Sequence, residues 1–459
     1  MFETLKNAFK VKDIRRKLLI TLFLLVVFRI GSWLPIPGVK GSYYGSGVEL
    51  MQNNALLGLI SAISGGALAT GAFLSLGIAP YINASIIFQL LAVAIPYLER
   101  LSKQGEEGKR KLNQLTRYGT LVLALAQSIG VAINWNTQGF LMTDLFGAGT
   151  NLPWVVGTFV VVILVTGSMF AMWLGEKITE LGVGNGISLL IFVGIIATAG
   201  QRIIITFQEV FGIQKASGAA QNTFGDSVSI NAMWQLIIFA IMVIVIFLFI
   251  IFIDLAERRV TIQYAKQVKG RKMYGGQSSH IPIKVNANGV LPIIFSSALT
   301  SFPQVIFSFI GTDIASATGF VGFYRDYLMP TGQYNYPYFI ITAILIFLFS
   351  FFYAQIQFNP EEVSRNIQQY GGFIPGIRPG KPTTDYLSKI SRRLTFFGAF
   401  FLAIIALVPS IIFKALLPGS VLTDAFSATG LLIVVSIALE IQKQLEGQLM
   451  MKHYKGFLK

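Results

Sequence analysis

Between Lys17 and Glu446 the chain carries about ten long apolar stretches, and the lysines and arginines between them fall almost entirely into alternate gaps. Crossing ~30 Å of hydrocarbon takes about 20 apolar residues, and runs of that length recur from end to end. A helical template places them near 18–37, 72–97, 118–135, 153–174, 183–205, 232–254, 288–310, 338–357, 394–413 and 425–445. Thirty of the 36 basic residues then lie on one side, which the positive-inside rule makes the cytoplasmic one, with both termini there. A content of 54% hydrophobic against 12% charged residues is far from the quarter charged that a soluble domain carries. The net charge of +15 is thus mostly an orientation signal.

Met1 to Lys17 reads as a basic amphipathic surface helix, with Leu5, Phe9 and Ile14 set against Lys6, Lys10, Lys12, Arg15 and Arg16. No small-residue cleavage site follows the first apolar run, so no cleavable leader is expected. The chain has no cysteine, which excludes disulfides, thiol catalysis and thiolate metal sites.

Two of the cytoplasmic gaps, 255–287 and 358–393, are longer than a turn requires and combine basic residues with Gly and Pro. In the second, Gly371-Gly372-Phe373-Ile374-Pro375-Gly376-Ile377-Arg378-Pro379-Gly380 would present Arg378 at a stiffened tip. Such loops suit docking of an acidic protein surface or RNA; a solvated connector is the plainer reading.

No apolar stretch carries Asp, Glu, Lys or His near its middle, where an ion-coupled transporter would hold one. Arg29 lies in the outer half of its stretch, within reach of headgroups, and Asp254 closes the sixth at the cytoplasmic border. No constellation points to hydrolysis, and no catalytic, cofactor-binding or metal-ligating residue is assigned. Gly182-Val183-Gly184-Asn185-Gly186 resembles a phosphate loop only superficially, since no strand precedes it and no lysine follows. Close backbone approach is the better account of its glycines.

Asn54 to Thr70 is apolar but too short and too rich in Gly and Ser to span. It reads as re-entrant, which requires protein or a water-filled cavity around it. Pro80 should kink the start of the following stretch, where Ile78 and Ile82 share a helix face.

Several motifs resemble those of the SecY family, the central subunits of the bacterial Sec protein-conducting channel. They are Gly77-Ile78-Ala79-Pro80-Tyr81-Ile82-Asn83-Ala84-Ser85-Ile86, Arg110-Lys111 with Thr116-Arg117-Tyr118, and Trp173-Leu174-Gly175-Glu176 with Gly184-Asn185-Gly186-Ile187-Ser188. Gln263-Tyr264-Ala265-Lys266, Gln277 through Asn286 and the Pro375–Gly380 loop continue the match. It is weakest in the outer loops 138–152, 207–230 and 312–336, and 207–230 is longer than the family pattern leads one to expect.

The resemblance implies an all-α integral membrane protein of ten transmembrane helices in two pseudo-symmetric five-helix halves, 1–206 and 207–459, with a re-entrant plug helix at about 55–70. It implies a constricting pore ring at Ile78, Ile82, Ile187, Ile191, Ile294 and Ile433. β-branched apolar side chains can close around any extended polypeptide and resist wetting when empty. The plug would include Gly58, Ile60, Ile63, Gly65 and Gly66, its glycines allowing close packing and movement. A lateral gate would be lined by Ser85, Gln89 and Pro292, although Ser85 and Gln89 serve equally well as packing between ordinary helices. Arg258, Arg259, Lys266, Arg271, Lys272, Arg378, Pro379 and Gly380 would receive the SecA ATPase or the ribosome. SecE and SecG subunits, signal-bearing polypeptides and membrane lipids are the other implied partners, and the cytoplasmic membrane the implied location.

Two functions therefore stand side by side: a passive protein-conducting channel driven by a motor or by translation, and a secondary transporter for a small solute, since broken helices also occur in transporters. The long basic loops favour the channel.

Overall fold

The structure is a computed structural model that describes residues 2–40, 61, 64–142, 153–210, 230–264, 267–269, 272–274, 278–286, 289–310, 319–329, 336–416 and 428–456. A helix covers part of each of the ten apolar stretches. In chain order the helices are α1 (Phe2–Lys10), α2 (Lys12–Gly31), α3 (Ala79–Ala94), α4 (Pro96–Lys103), α5 (Glu106–Thr137), α6 (Pro153–Leu181), α7 (Gly186–Val210), α8 (Ile230–Asp254) and α9 (Leu291–Ile310). They continue as α10 (Phe320–Phe323, run on by a π turn Tyr324–Leu328), α11 (Tyr336–Gln357), α12 (Pro360–Gln369), α13 (Lys381–Leu416) and α14 (Ala428–Gly456).

Among the described residues, five segments are long and apolar enough to cross a membrane: Arg110–Thr137, Trp154–Leu181, Ile237–Asp254, Tyr336–Gln369 and Lys381–Pro409. Ala79–Ala92, Gly186–Gln201 and Leu291–Thr300 are shorter apolar helices. The surface of α8 shows what solvates it. Ile237, Ile241, Ile244, Val245, Leu248 and Phe252 are all exposed and recur every three or four residues. A helix that displays a stripe of large apolar side chains faces lipid rather than water. The protein is a multi-pass membrane protein.

The first two stretches begin or end where prolines dictate. α2 starts at Lys12, after a break at Val11, and stops at Gly31 rather than near 37. Pro35 and Pro37 cannot donate to a continuing helix, and Pro35 instead lies in a bridge to Ala72. α3 begins at Ala79 instead of 72, with Pro80 in its first turn and Ile78 as its N-cap. Pro80 therefore starts the helix and does not kink it, because the first turn needs no donor there. Ile95 is extended (φ −107°, ψ 115°), as a residue before proline should be, and Pro96 opens α4.

The chain divides into two compact units, Met1–Ala232 with Ala298–Tyr338 and Ile437–Lys459, and Met233–Ser297 with Phe339–Ser436. In the first, α5 packs between α3 and α6, and α6 against α2 and α7. Leu68 and Leu76, from the turns between α2 and α3, join Val131 and Trp135 of α5 and Val160 and Leu164 of α6 in one buried cluster. The N-terminal helix is amphipathic, as expected, and among its described side chains Ala8 is buried, meeting Ile14, Val183 and Leu445, while Phe9 is exposed.

The second unit departs from an all-helical chain. β1 (Glu257–Tyr264) pairs antiparallel with β4 (Ser278–Lys284), with Glu257 opposite Lys284 and Thr261 opposite His280. β2 (Gln267–Lys269) and β3 (Lys272–Tyr274) pair with each other. β5 (Gly372–Phe373) adds to the other edge of β1, Tyr264 opposite Gly372. Alternation explains it: Val260 and Ile262 are buried, with exposed residues on either side of each. Ile283, Ile367, Ile374 and Leu387 close a core beneath them.

Candidate functional site

The turns at 64–78, which lead into α3, are largely buried inside the first unit. Ser64, Ala67, Leu68, Ala72, Leu74 and Ser75 have no exposed surface, and Ile78 has 1%. Irregular backbone at membrane depth survives only when its polar groups find partners, and these do. Phe73 N–H donates to Leu34 O at 2.7 Å, Ile36 N–H to Gly71 O at 3.0 Å and Gly66 N–H to Ser61 O at 2.7 Å. Ser168 Oγ of α6 donates to Gly77 O at 3.1 Å. Of the predicted plug, Gly65 and Gly66 are described; Gly58, Ile60 and Ile63 lie outside the described residues. Arg29 does not simply reach outward: its Nη1 donates to Gly65 O at 2.8 Å, and its guanidinium lies 5.0 Å from the Trp33 ring centroid.

Three of the predicted ring residues come together within the first unit. Ile78, Ile82 and Ile187 belong to one apolar cluster with Phe28, Leu74, Leu174, Ile178 and Leu190. Ile82 N–H donates to Ile78 O at 3.0 Å, so the two share a helical turn. Ile191, one turn beyond Ile187 on α7, is buried. Ile294 and Ile433 belong to the second unit, where Ile433 is buried and Ile294 half-buried near the start of α9. Pro292, buried, sits in the first turn of α9. Ser85 and Gln89 pair with each other, Gln89 Nε2 donating to Ser85 Oγ at 3.0 Å along α3.

The start of α7 is fixed by the Gly182–Gly186 loop. Asn185 caps the helix, its Oδ1 accepting from Ile187 N–H at 3.1 Å and Ser188 N–H at 3.5 Å. Gly186 lies against the Gly175 carbonyl so closely that any Cβ would collide with it. Thr179 Oγ1 accepts from Gly186 N–H at 2.9 Å, and Thr21 Oγ1 of α2 accepts from Val183 N–H at 3.1 Å. Close approach is thus the use of these glycines. Sequence reasoning missed a contact between two motifs it had set side by side: Arg117 of α5 donates through Nε and Nη2 to the two carboxylate oxygens of Glu176 of α6, both at 2.8 Å. The sequence marks Arg117 as a cytoplasmic charge and part of a motif, with no sign of its partner.

The two long basic loops form one body. Arg258 and Arg259 are exposed on β1, Arg259 Nε 2.8 Å from Glu257 Oε1. Lys272 begins β3; Lys266 and Arg271 lie outside the described residues. Arg378 is exposed at a tip whose backbone is clamped from behind. Thr383 Oγ1 donates to Arg378 O at 2.9 Å, and Ser364 Oγ donates to Gly380 O at 3.0 Å. Pro379 is exposed beside it.

A family model for SecY matches residues 72–442. The chain belongs to the SecY family. A SecY protein translocase subunit of Halalkalibacterium halodurans is 40% identical over 462 residues, covering all of both chains. Among solved structures, a protein-conducting channel superposes with a TM-score of 0.64 at 19% identity, over 94% of this chain and 91% of that one. The Sec61 channel of a canine ribosome–channel complex from the endoplasmic reticulum gives a TM-score of 0.60 at 17% identity, over 94% and 91%. At that identity the likeness is one of fold. Membership of the SecY family favours the channel reading over the small-solute transporter, and a SecY channel subunit needs no catalytic pair of side chains.

Proposed function

We propose that the chain is the pore-forming subunit of a translocase in the cytoplasmic membrane, passing unfolded secretory polypeptides across and releasing hydrophobic segments sideways into lipid. The full-length likeness to a translocase subunit carries this reading. Ten spans in two halves, 1–206 and 207–459, with both termini cytoplasmic, follow from the charge pattern and the family. Ile78, Ile82, Ile187, Ile191, Ile294 and Ile433 constrict the pore, and the segment around Gly65 and Gly66 plugs it at rest. Ser85, Gln89 and Pro292 line the lateral gate, where the Ser85–Gln89 pair holds polar groups that an apolar segment would displace.

The pore itself is passive. Energy enters through the basic body that carries Arg258, Arg259 and Arg378, which engages SecA or the ribosome; basic surface of this kind draws acidic partners and RNA alike. Small SecE and SecG subunits complete the complex.

The test is translocation of a signal-bearing precursor into proteoliposomes holding this chain, its small partner subunits, SecA and ATP, scored by protease protection. Protected precursor that vanishes without SecA supports the channel. Absence of protection from a complex that assembles and binds SecA would count against it.

A further inference from the structure

The turn at Ser61–Gly66 is held from three sides, and one of the holders is charged. Gly66 N–H donates to Ser61 O and Ser64 Oγ donates to the same carbonyl at 3.2 Å, which closes the turn on itself. Gly65 (φ 71°) and Gly66 (φ 84°) both lie in the left-handed region. A Cβ on Gly65 would stand 2.7 Å from Arg29 Nη1 and 3.3 Å from Gly194 Cα of α7; one on Gly66 would stand 3.1 Å from Gln201 Oε1. The turn therefore packs closely between α2 and α7, with the Arg29 guanidinium and the Gln201 amide directly against its two glycines.

Arg29 is half-buried on an apolar helix, a position where a cation is costly unless it is paired. Among the described residues its partners are the Gly65 carbonyl and the Trp33 ring. Neither is an anion, so the directed bond that holds the guanidinium is the one to the backbone of the turn. A carbonyl can be given up and replaced by water when the turn leaves, and Trp33, exposed just past the end of α2, can retain the cation meanwhile.

We infer that Arg29 is a latch: a positioning residue whose bond to the Gly65 carbonyl holds the plug turn in its slot at rest and yields when the turn moves. The inference rests on the plug reading of this segment. A charge-assisted hydrogen bond of this kind shifts a local closing equilibrium by about tenfold or more.

The experiment is the resting ion conductance of the purified channel complex in planar bilayers, for wild type, Arg29→Gln, Arg29→Lys, a deletion of 58–69, and the deletion combined with Arg29→Gln. Arg29→Gln should raise the conductance about tenfold, Arg29→Lys less, since it keeps the charge and can still donate to the carbonyl. The deletion should also leak, and Arg29→Gln should add nothing to it, because the bond's acceptor is already gone. Wild-type conductance in Arg29→Gln beside a leaking deletion overturns the latch and leaves the plug standing. Additive leaks overturn it too, since Arg29 would then act elsewhere. A deletion that does not leak removes the plug reading and the latch with it. Should Arg29→Gln fail to assemble, Gly65→Ala perturbs the same contact from the other side and must leak in the same way.

Discussion

Arg117 and Glu176 meet through two parallel hydrogen bonds of 2.8 Å that tie the helix Glu106–Thr137 to the helix Pro153–Leu181. The fork geometry of guanidinium and carboxylate gives such pairs both strength and orientation. Arg117 is about half exposed and Glu176 about a quarter, so solvent screens the bond and its share of stability is modest. Arg117→Lys should recover only part of the roughly 1 kcal/mol that Arg117→Ala loses, because an ammonium lacks the planar fork that meets both carboxylate oxygens. Thermal unfolding of the detergent-solubilised complex, run as a double-mutant cycle with Glu176→Gln, checks both; additive losses would mean the two groups do not act together.

At the start of α7, two adjacent residues should differ in severity. Asn185→Ala removes a cap and should cost about 1 kcal/mol. Gly186→Ala forces a methyl onto the Gly175 carbonyl and should cost about 1–3 kcal/mol through displaced backbone. Unfolding midpoints of the two variants, compared side by side, settle the order.

Ile82 lies in the apolar cluster with Ile78 and Ile187. If it constricts the pore, Ile82→Ser should wet it and raise resting ion conductance several-fold, whereas Ile82→Val should stay near wild type. Equal conductance in planar bilayers for the serine variant would place Ile82 in ordinary packing.

Arg378 is exposed while its carbonyl is clamped by Thr383. Arg378→Glu should therefore abolish SecA-driven translocation without disturbing assembly, because the charge reversed is an exposed one and the backbone clamp on the tip does not use it. Thr383→Val, which loosens the clamp and keeps the charge, should lower the rate and leave some transport. Normal transport by Arg378→Glu would refute the docking role.

Apolar length made the helices legible, and prolines decided where the reading slipped. The stretch expected from residue 72 begins as helix only at Ala79, since the residues before Pro80 are buried in turns whose hydrogen bonds reach Leu34 and Ile36, partners no local pattern reveals. The strand Glu257–Tyr264 was hidden because Val260 and Ile262 are a short alternation among charged and polar residues. Its partner Gly372 lies over a hundred residues away. Arg29 was visible as an anomaly in an apolar run, but its acceptor is a backbone carbonyl, which every residue has and no sequence marks.

The sheet that joins the two long loops has a mechanical consequence. Strand Glu257–Tyr264 follows directly on the helix that ends at Asp254, Asn286 after its partner strand binds Asp254 at 2.9 Å, and the backbone at Val285 lies against Gly398 of the helix Lys381–Leu416. The loop that carries Arg378 is thus tied to two membrane helices at once, through paired strands instead of two separate tethers.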